Sequence, residues 1–207
     1  SDSNGVGQNQ VQIDDEIYSV GRSDIGEYIG YKAVYYESID EDNEIITYYL
    51  SPKNSVQTIS DEDIEAVSAD GNRITIKKND GKKVSFDAYI PTIYNGIFKA
   101  EKLTVSDIDV KTGKIVLVDN DGSGYNTAIV ESYQNIILDK YDEENKVVYG
   151  TGNEKIALGE NVVIYENGMI TGSLPEGSAL AVAAAVVNGI VEKTTIYVTD
   201  EKIEGKI

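Results

Sequence analysis

Apolar and polar residues alternate along this chain in short runs, with the period of two that belongs to half-buried β-strands. Arg73-Ile-Thr-Ile-Lys77 and Lys83-Val-Ser-Phe-Asp87 are the clearest pair, separated by Lys78-Asn79-Asp80-Gly81-Lys82. Asn, Asp and Gly tolerate the positive φ of tight turns, so this segment predicts a hairpin. The same pattern predicts strands over residues 16–20, 30–37, 44–50, 64–68, 114–118, 127–133, 136–139, 146–149, 161–165, 194–199 and 203–207. Ala179–Val187 carries helix-friendly alanines, but it runs into Asn188-Gly189 and is expected to be a strand entering a hairpin. Helix is scarce. Ser60-Asp61-Glu62-Asp63 predicts one capped turn, an acid following Ser by three residues. Pro52, Pro91 and Pro175 fall where strands end or loops begin.

Residues 63–96 and 135–168 have the same length and echo one another in their landmarks. Each segment opens on a strand at Ile64 or Ile136 and turns through Asp70-Gly71-Asn72 or Asp142-Glu143-Glu144. Each closes on Ile-Tyr and Asn-Gly, at Ile93-Tyr94-Asn95-Gly96 and at Ile164-Tyr165-Glu166-Asn167-Gly168. A further hairpin follows both closures, through 119–126 in the first and Asn188-Gly189 in the second. The reading is duplication of a β unit. The expected fold is all-β, two related antiparallel β units of small barrel or sandwich type with an N-terminal pair of Tyr-rich strands. The expected boundaries are a flexible lead-in at 1–12, a first unit at 13–133 and a second at 134–207.

Composition then narrows the function. Among 207 residues there are 18 Lys plus Arg against 36 Asp plus Glu, a net charge of −18. Such a surface repels phosphate backbones and anionic lipids, so neither nucleic acid nor membrane is an expected partner. With no Cys and no His, neither a Cys/His zinc site nor a Ser-His-Asp or Cys-His nucleophile can be assembled. The longest apolar run, Ala179–Val187, is far short of the roughly 20 residues of a spanning helix.

One loop reads as chemistry. In Asp119-Asn120-Asp121-Gly122-Ser123-Gly124-Tyr125-Asn126, the residues Asp119, Asp121 and Ser123 occupy positions 1, 3 and 5 of a calcium loop. Gly124 takes the flexible sixth place and Tyr125 offers a carbonyl at the seventh, while Val130 stands where a bidentate Glu is wanted. The alternatives are an incomplete, weak calcium site and a plain hairpin turn built from good turn formers. The acid clusters 14–16, 40–42 and 142–144 sit at turn tips, where solvated carboxylates are the expectation. Fifteen tyrosines against two Phe and no Trp allow a sugar-stacking or partner-binding surface. Adjacent Tyr35/Tyr36 and Tyr48/Tyr49 equally suit one ring in the core and its neighbour outside.

The runs Tyr28-Ile-Gly-Tyr-Lys-Ala-Val-Tyr-Tyr36, Ile93-Tyr94-Asn95-Gly96 and Lys114-Ile-Val-Leu-Val-Asp-Asn-Asp-Gly-Ser-Gly-Tyr125 resemble a β-rich module of clostridial cell-surface proteins. Such proteins carry S-layer homology repeats, and similar segments occur in phage virion structural proteins. The likeness covers most of 24–207 and lacks a catalytic motif; Asn126 stands where the family commonly has Asp. It implies an extracellular, bacterial cell-surface or virion location, and other structural proteins of the same assembly as partners. The expected function is therefore a non-enzymatic structural or adhesion module. A carbohydrate-binding module and a calcium-stabilised accessory domain of a larger surface enzyme are the alternatives. A glycan or a second copy of the chain stays open as a partner.

Overall fold

The computed structural model of the chain describes residues 10–14, 16–20, 25, 28–39, 43–78, 80–187 and 189–199. The fold is all-β, as the alternation predicts. Strands β1 (Gln10–Ile13) and β2 (Glu16–Ser19) form one hairpin, and β3 (Ala33–Glu37) with β4 (Ile45–Leu50) a second. Next, β5 (Ser55–Ile59) leads through a 3-10 turn at Asp61–Asp63 into the meander β6 (Ile64–Val67), β7 (Arg73–Lys77), β8 (Lys83–Asp87). There follow β9 (Thr92–Tyr94), β10 (Ile97–Lys99), the one-turn helix α1 (Val105–Ile108), β11 (Gly113–Asp119) and β12 (Thr127–Ser132). The last strands are β13 (Gln134–Asp142), β14 (Val147–Gly150), β15 (Lys155–Ala157), β16 (Asn161–Glu166), β17 (Met169–Thr171), β18 (Ala179–Val187) and β19 (Ile190–Thr199).

Several boundaries differ from expectation. Residues 10–12, read as the end of a flexible lead-in, belong to β1, where Val11 pairs with Tyr18 and packs on the Tyr18 cluster. The short strands β5 and β17 and helix α1 carry too few alternating positions to announce themselves. The capped turn forms as predicted, with the Ser60 amide donating to Asp63 Oδ2 at 2.9 Å. The strand expected at 203–207 lies outside the described residues.

Contacts divide the chain into two compact units, one of Ser1–Thr92, Ala100–Thr104 and Val116–Ala128, the other of Ile93–Lys99, Val105–Ile115 and Ile129–Ile207. In the first, Tyr18, Val20, Ile25 and Ile45 make a buried cluster lined by Tyr35 and Tyr48. The β7–β8 ladder buries Ile74, Ile76 and Phe86 on one face. In the second, Ile136, Leu138, Val148, Ile156, Leu180, Val182, Ile196 and Val198 form a continuous core. Each such side chain removed from water contributes about 1.5–3 kcal/mol.

The expected repeat can be set against the order of the strands. A five-stranded sheet runs β10-β9-β12-β11-β5, and within the seven-stranded sheet β15-β14-β13-β18-β19-β16-β17 the order is β17-β16-β19-β18-β13. Strand for strand these match in chain order. In the second copy the continuous β13 does the work that β5 and β6 share in the first. It pairs with β18 through Gln134–Ile137 and with β14 through Leu138–Asp142. Both closing turns use the same backbone: Asn95 and Gly96 at φ 48° and 81°, Asn167 and Gly168 at φ 53° and 78°. Two consecutive positive φ values give the tight hairpin that Asn-Gly favours.

Asn95 does more than turn the chain. Buried at 8% exposure, it donates from Nδ2 to the Ala184 carbonyl at 2.7 Å and accepts the Ser132 amide at 2.8 Å. Removing both would strand two backbone groups, at ~1–3 kcal/mol each. Asn95→Ala is therefore expected to lower the urea-derived stability by about 3 kcal/mol. Asn167→Ala, at the exposed counterpart, should lose only the positive-φ preference, about 1 kcal/mol. Equal losses at the two positions would mean that the Asn95 side chain anchors nothing.

Candidate functional site

The acidic loop hangs between β11 and β12 and is closed by amide pairs. Asn126 donates its backbone N–H to the Val118 carbonyl at 2.9 Å and its Nδ2 to Asn120 Oδ1 at 2.8 Å. Asn120 Nδ2 reaches the Gly30 carbonyl at 2.9 Å. Asp119 Oδ1 accepts the amides of Asp121 and Gly122 at 3.3 and 2.6 Å, and Asp121 Oδ1 accepts that of Ser123 at 2.8 Å. Gly122 and Gly124 supply φ of 85° and 124°. The structure thus brings Asp119, Asp121 and Ser123 into one turn, in which the two carboxylates cap backbone amides and Ser123 donates to Asp121. Hydrogen bonds from Ser123, reinforced by Lys32 and Lys53, hold the Asp121 carboxyl below its ordinary range. Tyr125 turns its ring edge-on to Phe86, centroids 6.1 Å apart, with Lys78 Nζ 5.8 Å from its centre. The reading from sequence missed Asn120 and Asn126, whose mutual bond depends on the loop's curl.

Elsewhere the acids also serve their own turns. Asp142 accepts from the Asn145 amide at 3.1 Å and Asp70 from the Asn72 amide at 3.0 Å. No three acidic side chains converge as a metal cluster among the described residues. Asp15 and residues 40–42 lie outside the described residues. No described helix is long and apolar enough to cross a membrane.

The tyrosines divide by face. Tyr35 and Tyr48 turn toward the Tyr18 cluster, with Tyr35 and Tyr18 rings 5.2 Å apart and hydroxyls 3.1 Å apart. Tyr36 and Tyr49 point outward, both more than half exposed, rings 6.4 Å apart.

A second tyrosine group lies on the later strands. Tyr197 stacks on Tyr165 at 5.5 Å and meets Tyr133 edge-on at 5.9 Å. The Tyr133 hydroxyl donates to Glu131 Oε2 at 3.0 Å. Burial, then that bond to a carboxylate, raises the Tyr133 hydroxyl above its ordinary pKa. Beside Tyr197 the outer face of the sheet hollows into a cavity of about 560 Å³. The register explains the hollow: Asn135, Ala181 and Tyr197 form one cross-strand row, Ile137, Ala179 and Thr199 the next. The central strand contributes only methyl groups. The turn after β14 closes one end with Thr151, Gly152 and Glu154. Alternate alanines in Ala179-Leu-Ala-Val are the sequence signal for this floor.

No protein-family model, curated protein or solved structure matches this chain.

The loop's hydrogen bonds yield a test. Asp119→Ala orphans two amides and is expected to cost about 1 kcal/mol, or about 2–4 °C in Tm, in calcium-free buffer. Because the Asp121 carboxyl is depressed in the folded state, its support is present above the unfolded value near pH 4 and lost as pH falls through the lower folded value. Asp121→Asn should flatten that part of the acid-unfolding profile. A calcium-induced rise in Tm, present in wild type and absent from Asp119→Ala/Asp121→Ala, would assign the loop to a cation instead.

Proposed function

We propose that this chain is a non-enzymatic structural module of a bacterial surface or virion assembly, whose task is to bear load between larger pieces. The observation that carries the reading is the setting of β19. Ten residues long, it lies inside the seven-stranded sheet, antiparallel to β18 and parallel to β16. Six consecutive residues, Lys193 to Val198, are in register with Asn161 to Glu166. Tension drawn along β19 toward its Thr199 end loads both ladders in shear, so many hydrogen bonds must fail together rather than one after another. A sequence without His or Cys and acids engaged in their own turns fit a passive role. The acidic surface also discourages edge-to-edge pairing of exposed strands. Partners on this reading are other structural proteins of the same assembly, and the location is extracellular.

The absence of cysteine makes attachment points for force measurement easy to install. Handles at Glu160→Cys and Thr199→Cys pull β16 and β19 lengthwise past each other. Handles at Asn167→Cys and Thr199→Cys peel the same pair from one end. Single-molecule pulling is expected to give a several-fold higher rupture force in the first geometry. Equal, low forces in both would remove the load-bearing role.

A further inference from the structure

We propose that the hollow on the outer face of β13, β18 and β19 is a binding site for a neutral glycan. Its size, about 560 Å³, lies within the usual range of small-ligand sites, ~300–1,000 Å³. Its floor is the pair Ala179 and Ala181, its walls Ile137 and the 44%-exposed Tyr197. Asn135, Thr151 and Glu154 supply amide, hydroxyl and carboxylate at the margin. A sugar ring matches this mixture. Its C–H face lies against aromatic and methyl surface, while its equatorial hydroxyls reach the polar margin.

Glu154 supplies the independent observation. Its carboxylate folds back over Gly150 and Gly152, where any Cβ would collide with it. There Oε2 is buried and has no hydrogen-bond donor among the described residues. A desolvated carboxylate oxygen without a donor is unfavourable, so swinging the carboxylate out toward the hollow, where a ligand hydroxyl can donate to it, costs that oxygen no existing hydrogen bond. Glu154 is also the one charged side chain in the lining. Together with a net charge of −18 it repels anionic polymers. An alkylammonium would satisfy Glu154 but leave the amide and hydroxyl margin unused, so the neutral polyol is the better match.

The test is amide NMR mapping of the whole chain titrated separately with maltose, cellobiose and N,N′-diacetylchitobiose. At least one is expected to give saturable shifts at Thr151, Ala181 and Tyr197, with a Kd on the order of 1 mM. Ala181→Val, which adds methyls to the floor on a residue type suited to strands, should abolish the shifts while circular dichroism stays unchanged. Glu154→Gln should weaken binding about tenfold. Tyr36→Ala/Tyr49→Ala, far along the sequence and on another sheet, should leave it unchanged. Silence of all three sugars at 50-fold that concentration, ~50 mM, overturns the proposal. So do shifts centred on Tyr36 and Tyr49, or a response of the hollow to n-butylamine alone. None of these outcomes alters the rupture forces, so the load-bearing reading stands or falls separately.

Discussion

Backbone pairing on both sides of β19 is the constraint from which the rest of the later unit follows. The parallel ladder begins with Asn161 opposite Lys193, so the chain entering β16 must come close to β19 just before that point. Gly159 makes that possible: a Cβ there would lie 2.7 Å from the Val191 carbonyl and 2.9 Å from Glu192 carbon. The Gly159 amide is then taken up by Thr194 Oγ1 at 2.8 Å, and Thr194 is fully buried. A buried hydroxyl and a missing side chain thus fix where the parallel ladder begins. Once it begins there, alternation sends Ile196 and Val198 inward and Tyr197 and Thr199 outward.

The two segments read as a repeat share some structural features and differ in others. Both keep the Asn-Gly turn at positive φ and the same strand order. Asn95 is buried and spans to the β18 backbone, whereas Asn167 is exposed. The first copy breaks its leading strand at a 3-10 turn, and the second runs it through as β13 with a register shift near Leu138. A bulge absorbs the change of direction that the broken strand achieves by a turn. The hairpin tips diverge most: an acidic, amide-laced loop in one copy, Asn-Gly in the other. Tips carry no core, so their residues answer to local turn chemistry alone.

That distinction accounts for what was legible in the sequence. The Arg73–Lys77 and Lys83–Asp87 hairpin could be read because both signals are local, alternation and Asn-Asp-Gly, and its register pairs Arg73 with Asp87. The strand Ala179–Val187 could be read from its hairpin ending despite its alanines. Strand β5, Ser55-Val-Gln-Thr-Ile59, was invisible because an edge strand of five residues shows little contrast between faces. The reach of Asn95 to Ala184 was invisible for another reason: it joins residues far apart in the chain. The acidic loop was found, but its inner bonds were not, since Asn120 and Asn126 meet only after the glycines curl the backbone. The hollow beside Tyr197 is the extreme case. It consists of rows across three strands, and no stretch of sequence contains a row.

A single parity sets both faces of this sheet. Residues of β18 at Leu180 and Val182 face the core, and those at Ala179 and Ala181 face outward. A slip of one residue would exchange the two sets, burying methyls where leucine is needed and exposing leucine where the hollow lies. The bulge between Ala185 and Val186 breaks this parity at the far end of the hairpin. Asn95 grips the Ala184 carbonyl immediately before it. Strand β18 is thereby pinned on the near side of its irregularity, and the regular ladder from Ala179 to Ala185 keeps its phase against β19. The inner core and the shape of the outer face consequently depend on the same register.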